Sequence, residues 1–150
     1  MKYQYVVGFV FDVSMSNVLL IRKRRPEWQA GLLNGCGGKI APGESDLSAM
    51  ERECLEETNL HIPENEWTRC VDLYGGHPDH DGYRVAFFFA SADLTNARTM
   101  TDEEFLVVPL RHLARYSTTM HVQWIVPLCL AFVQSYNGRK ISESLTVKEA

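Results

Sequence analysis

The residues best suited to chemistry are three glutamates in the segment Arg52-Glu53-Cys54-Leu55-Glu56-Glu57. On a helix, residues three and four apart are neighbours, so Glu53, Glu56 and Glu57 share one arc about 100° wide. Like charges held this close repel, and a bound cation would remove the cost. Clustered carboxylate oxygens are hard ligands, suited to Mg²⁺ or Mn²⁺ rather than to a soft metal. The alternative is a solvated acidic helix face, which needs no function. The upstream context bears on the choice. A glycine-rich stretch from Asn34 to Gly43, a loop Glu44 and Arg52 precede the first helix glutamate at defined spacings.

These residues must be carried by a helix. Leu47, Met50, Cys54 and Thr58 recur at helical spacing, with Ser45 or Asp46 as the N-cap, and predict a helix over Leu47–Asn59. Its apolar stripe can pack on a sheet while the carboxylates face a cleft. Strands are expected at Val6–Phe11, Val18–Ile21, Cys70–Tyr74, Tyr83–Ala90 and Phe105–Val108. A strongly apolar helix is expected over His121–Tyr136, bent at Pro127 and buried in the core or against another chain. The order of elements fits a mixed α/β or α+β sandwich in one domain, residues 1–136, followed by a polar, frayed tail over 137–150.

Read in full, the segment is G-x5-E-x7-R-E-C-x-E-E-x-N-L, from Gly38 to Leu60. It closely resembles the Nudix box, and the order of flanking strands is similar to a Nudix domain over most of the chain. Asn59 stands where the family commonly has Gly. Asn is the next-best residue for a left-handed helix cap, so the turn should survive. The resemblance implies an α/β/α sandwich around a mixed sheet, and hydrolysis of a nucleoside diphosphate linked to another group. It implies that Glu53, Glu56, Glu57 and the Gly38 carbonyl hold Mg²⁺, with Mn²⁺ as a substitute. Arg52 would orient the carboxylates, and Glu44 would support the box or a water. One of the box glutamates, or an acid among Asp102, Glu103 and Glu104, would activate the attacking water. Those three acids also read as a solvated turn.

Substrate features are sparser. Arg22 and Lys39 are candidates to face phosphates, or else are surface charges. The run Asn34-Gly35-Cys36-Gly37-Gly38-Lys39 looks like the N-G-x-G-G-K of Nudix enzymes that hydrolyse oxidised purine nucleoside triphosphates, which makes Asn34 a candidate base reader or a turn residue. The acids that accompany it in those enzymes are missing here, where Thr118-Thr119-Met120-His121-Val122 stands instead. Trp28 is a candidate stacking lid, His121 or Trp124 could meet a base, and Trp124 also reads as core or interface. His77, Asp79, His80 and Asp81 read as a mobile polar loop. The reading favours a (deoxy)nucleoside triphosphate cleaved to monophosphate and pyrophosphate. ADP-ribose or another dinucleotide-type substrate, and a non-catalytic nucleotide-sensing module, are the alternatives.

The chain-wide properties agree. At 150 residues, with 45% hydrophobic and 23% charged residues, the chain suits one globular domain. A net charge of −4 offers no global basic field for nucleic acid. Cys36, Cys54, Cys70 and Cys129 form no C-x-x-C pair, which leaves zinc-ribbon and dithiol readings unsupported. The apolar run Ile125–Val133, interrupted by Pro127, is far shorter than the ~20 residues that span a bilayer. The expectation is a cytoplasmic protein, monomer or homodimer, whose partner is a small nucleotide.

Overall fold

A computed structural model of the chain describes residues 3–76, 81–136 and 144–149. Among these residues, eight strands form one mixed sheet: β1 Tyr3–Phe11, β2 Asn17–Arg22, β3 Leu33–Asn34, β4 Cys36–Lys39, β5 Thr68–Gly75, β6 Tyr83–Ser91, β7 Phe105–Pro109 and β8 Leu145–Lys148. The two α-helices are α1 Asp46–Thr58 and α2 Val122–Tyr136. Strand order runs β3-β2-β1-β6-β5-β8, with β4 added to β1 and β7 to β2. The central β1 lies parallel to β6 and antiparallel to β2 and β4.

Alternation along the central strands sorts their side chains into two cores, because successive residues point to opposite faces. Val6 and Val10 of β1, with Ala86, Phe88 and Ala90 of β6, pack with Met50 and Cys54 of α1. Phe9 and Phe11, with Phe87 and Phe89, pack with Val122, Ile125 and Cys129 of α2. The result is the expected α/β/α layering: the sheet is buried on both sides, which explains why its central strands are almost wholly apolar. All four cysteines are buried and unpaired as thiols.

Helix α1 forms as its spacing predicts. Ser45 is the N-cap, accepting from the Ser48 N–H at 3.1 Å, and Asn59 closes the helix in the left-handed region at φ 63°. Helix α2 starts at Val122 and runs on through Pro127. It is buried along one face only: Trp124 is 37% exposed, so it belongs neither to the core nor to a buried face. The glycine-rich stretch, for which no strand is expected, holds the short strand β4, and β3 ends at its first residue, Asn34. The tail expected to fray contributes β8, which pairs in parallel with β5. Of the polar loop, His77, Asp79 and His80 lie outside the described residues. Among the described residues no helix is long and apolar enough to cross a membrane.

The β1–β2 turn depends on one carboxylate. Asp12 accepts from the backbone N–H groups of Ser16 and Asn17 at 2.8 and 3.0 Å, from Asn17 Nδ2 at 2.7 Å and from Ser14 Oγ at 2.9 Å. Desolvation works to raise its pKa, but these donors together hold it down at about 2. Asp12→Ala is expected to cost about 1–3 kcal/mol at pH 7, read by urea unfolding. Because the folded pKa lies below the ordinary 3.8, this stabilisation is present above that value and is lost as pH falls from there through about 2. The two proteins should therefore converge in stability at the acid end.

Candidate active site

Strand β4 and helix α1 assemble the acidic centre. Pairing with β1 sets Gly37 opposite Val7 and Gly38 opposite Val6, and α1 packs across these glycines. Gly38 has no side chain because Glu53 occupies the space: a Cβ there would stand 2.6 Å from the Glu53 carboxylate. Next to it, Glu57 accepts from the Gly37 N–H at 2.9 Å. The glycine strand is thus the cradle in which two box carboxylates lie against backbone.

Burial dominates the electrostatics of both. Glu57 is 8% exposed, and desolvation pushes its pKa up to about 7, against the opposing pull of the Gly37 N–H and of Lys23, whose Nζ is 4.0 Å away. Glu53 is likewise raised by burial, although Arg52 opposes the shift. Glu56 is the most exposed of the three.

Arg52 ties the centre together. Its Nε and Nη2 donate to the two oxygens of Glu44 at 2.8 and 2.9 Å, its Nη1 to Glu53 at 2.7 Å and Glu56 at 3.3 Å, and Nη2 also to the Lys39 carbonyl at 3.2 Å. Glu44 is held at about pKa 2, chiefly by Arg52 and then by the Ala41 N–H. The fork–fork pair with Glu44 anchors one side of the guanidinium and leaves Nη1 to hold the helix carboxylates. A lysine offers a single point of charge and cannot span these groups. Arg52→Lys is expected to leave the fold intact and lower hydrolytic turnover about 10²-fold, measured as kcat in Mg²⁺.

Beside this centre lies a cleft of about 520 Å³. Its walls are largely aromatic and aliphatic, with Tyr3, Tyr5, Trp28, Tyr83 and Phe87, and they also include Gly37 and Gly38 of the glycine strand and the basic Lys23 and Arg25. An apolar chamber that opens on charged groups suits a flat apolar moiety attached to phosphates.

The sequence-derived candidates divide between cleft and periphery. Asn34 lines the cleft, while its Oδ1 accepts from the Gly35 N–H at 2.8 Å, so it also serves the turn. Trp28 stands at the wall and is 70% exposed. His121 lines the cleft; its ring is 6.2 Å from that of Trp124. Arg22 is not among the lining residues: its Nε pairs with Glu104 at 3.2 Å and its Nη1 donates to the Gly31 carbonyl at 3.2 Å. The neighbouring Lys23 faces the cleft instead, a one-residue change of direction at the end of a strand. Lys39 points to a separate outer hollow with Glu44 and Arg52, its Nζ 5.6 Å from the Tyr3 ring centre.

The acids of the later loop also divide. Asp102 pairs with Arg25 and lies within 3.8 Å of Arg24. Glu103 is only 5% exposed and binds Lys23 Nζ at 2.7 Å, which links it to Glu57 through that lysine. Sequence reasoning missed Lys23, hidden in the run Arg22–Arg25, and missed the wall formed by Tyr83, Val85 and Phe87. Their alternation along β6 was a usable signal for the latter. Thr119 also lines the cleft, brought there because residues 117–119 extend alongside Leu33, with hydrogen bonds of 2.9 Å in both directions.

Among the described residues, no three His, Cys, Asp or Glu groups already stand together as a metal cage. The donor set nevertheless fits a hard cation: it is all oxygen, and Mg²⁺ takes few protein carboxylates while substrate phosphates and waters complete its shell. The Gly38 cradle that admits the Glu53 carboxylate agrees with that assignment.

Fold and site together define a Nudix-type α/β/α domain. The NUDIX domain family model matches residues 2–125, and the chain belongs to the Nudix hydrolase family. Solved structures of similar fold include the NUDIX domain of Shewanella oneidensis NrtR complexed with ADP ribose, at 14% identity and TM-score 0.74 over 89% of each chain. A MutT from a study of Aliivibrio salmonicida and Vibrio cholerae is 24% identical, with TM-score 0.68 over 87% of this chain and 98% of that one. A C. elegans Ap4A hydrolase is 15% identical, with TM-score 0.65 over 89% and 99%. At these identities the likeness concerns the fold. No curated protein matches the chain by sequence.

Proposed function

We propose that this protein is a Mg²⁺-dependent pyrophosphohydrolase that cleaves a (deoxy)nucleoside triphosphate to the monophosphate and pyrophosphate, with Mn²⁺ able to replace Mg²⁺. The observation that carries the reading is the abutment of two unlike features: carboxylates buried against the glycine strand, and an aromatic cleft of about 520 Å³, roomy enough to admit a nucleoside. Glu53, Glu56, Glu57 and the Gly38 carbonyl would hold the cation. When bound, it supplies charge neutralisation of the phosphates and activation of water.

The chain's own residues do the rest. Arg52 keeps Glu53 and Glu56 aligned, and Glu44 keeps Arg52 in place. Lys23 and Arg25, at the edge of the cleft, meet phosphate charge. Aromatic walls and Asn34 hold the base. Water attacks phosphorus, the bridging P–O bond breaks, and the water's proton passes to a box glutamate or to Glu103. Positioning and electrostatics account for most of the rate in such reactions.

Product identification tests the reading. Purified protein with Mg²⁺ is given oxidised and normal deoxynucleoside triphosphates, and then ADP-ribose, and the products are resolved by chromatography. Monophosphate plus pyrophosphate is the expected result. AMP plus ribose 5-phosphate from ADP-ribose, with triphosphates untouched, would replace it with a dinucleotide-type hydrolase. Base-selective binding without turnover would make the domain a nucleotide sensor.

A further inference from the structure

Strand β8 and the residue after it back the cleft wall in a way that the box does not require. Strand β8 lies beyond the residues matched by the family model, and its pairing with β5 places Thr146 beside Asp72 and Lys148 beside Tyr74. The next residue, Glu149, is thereby fixed: its N–H donates to the Tyr74 carbonyl at 2.8 Å. One of its carboxylate oxygens accepts from the Tyr83 phenol at 2.5 Å, and the other bonds His121 Nε2 at 2.9 Å. Tyr83 and His121 both line the cleft, and the His121 ring lies 5.8 Å from that of Phe87.

We propose that strand β8 is a specificity element: Glu149 fixes Tyr83 and His121 as one wall of the cleft, against which a heterocyclic base lies. The inference deepens the nucleotide reading and rests on it. Glu149 is a positioning residue, since it acts through the two rings. It ties base selectivity to a segment outside the matched domain.

The test uses the full chain with Glu149→Ala, Glu149→Gln and Tyr83→Phe. Titration calorimetry reads binding of the nucleoside monophosphates and of ribose 5-phosphate, which has no base. Steady-state kinetics reads kcat and KM for the best triphosphate. Glu149→Ala should weaken the preferred nucleotide about tenfold, leave ribose 5-phosphate unchanged, and raise KM with kcat held within about threefold. Glu149→Gln, which still accepts from Tyr83, should recover part of the loss. If the alanine variant fails to fold, Tyr83→Phe removes only the phenolic bond and should likewise weaken the preferred nucleotide relative to ribose 5-phosphate.

Unchanged affinity and base order in folded variants would overturn the proposal while leaving the hydrolase reading intact. Base-selective binding that depends on Glu149, without turnover by the native protein, would overturn the hydrolase reading and support the wall. Failure of the native protein to prefer any base-bearing nucleotide over ribose 5-phosphate would contradict both.

Discussion

Glu57→Gln is expected to abolish hydrolysis and, in the metal-free protein, to raise stability. Glu57 lies against Gly37 with its carboxyl almost wholly buried, and burial lifts its pKa to about 7. In an unfolded chain a glutamate titrates near about 4.3. The folded protein therefore holds this proton more tightly than the unfolded one. The group's stabilising contribution is full below the unfolded pKa and is lost as pH rises through about 7. At pH 8 the ionised form costs up to about 3 kcal/mol relative to a neutral group.

Glutamine keeps an oxygen for the Gly37 N–H and carries no charge to desolvate, and Lys23 retains Glu103 as its partner. Thermal unfolding at pH 8 should show the variant more stable by about 1–3 kcal/mol, an advantage that disappears toward pH 4. Turnover in Mg²⁺ should fall by about 10³-fold or more, because on the proposed assignment Glu57 is a ligand of the cation. Such a pair of results would identify Glu57 as a group kept for chemistry at the expense of stability. Turnover within about tenfold of the native rate would remove Glu57 from the catalytic centre.

Gly37→Ala should have the largest effect on the fold. Gly37 adopts φ 154°, and a Cβ there would stand 2.1 Å from the Val6 carbonyl oxygen. That atom is backbone in the central strand and cannot turn aside, so β4 must move off β1. The move carries away the N–H that holds Glu57 and the neighbouring cradle of Glu53. We expect a loss of about 3 kcal/mol or more in urea unfolding, and turnover reduced at least about 10²-fold in whatever folds. Gly31→Ala is the comparison. Gly31 has φ 83° but open space where its Cβ would point, so the variant pays only for the left-handed backbone, about 1–2 kcal/mol, with little change in turnover. Equal costs at the two positions would show that conformation, not collision, governs β4.

The residues that were legible in the sequence are those governed by local rules. The period of Leu47, Met50 and Cys54, the Ser45 cap and the Asn59 turn each specify part of α1, and the acidic arc follows from helix geometry alone. The apolar strands β1, β2, β5 and β6 declared themselves by composition. What stayed hidden depends on partners distant in sequence. Strand β4 carries no strand pattern because its glycines bury backbone rather than side chains, and their purpose is visible only once Glu53 and Glu57 lie on them.

Direction at strand ends was equally hidden. Arg22 and Lys23 are chemically alike, yet one points to Glu104 and the other into the cleft. Glu103 reads as a surface acid among three, and only its burial on Lys23 separates it from its neighbours. The strand β8 has four residues, mostly exposed, and no pattern of its own; β5 supplies its register.

The central claim is that the three box glutamates form a cation site serving a diphosphate. The most direct measurement is titration with Mn²⁺, followed by electron paramagnetic resonance, in the presence of a non-hydrolysable nucleoside triphosphate. The native protein should bind Mn²⁺ with nucleotide present, and Glu53→Gln, Glu56→Gln and Glu57→Gln should each weaken that binding by about tenfold or more, with circular dichroism unchanged. Mn²⁺ affinity within about twofold of native in the triple variant would contradict the account.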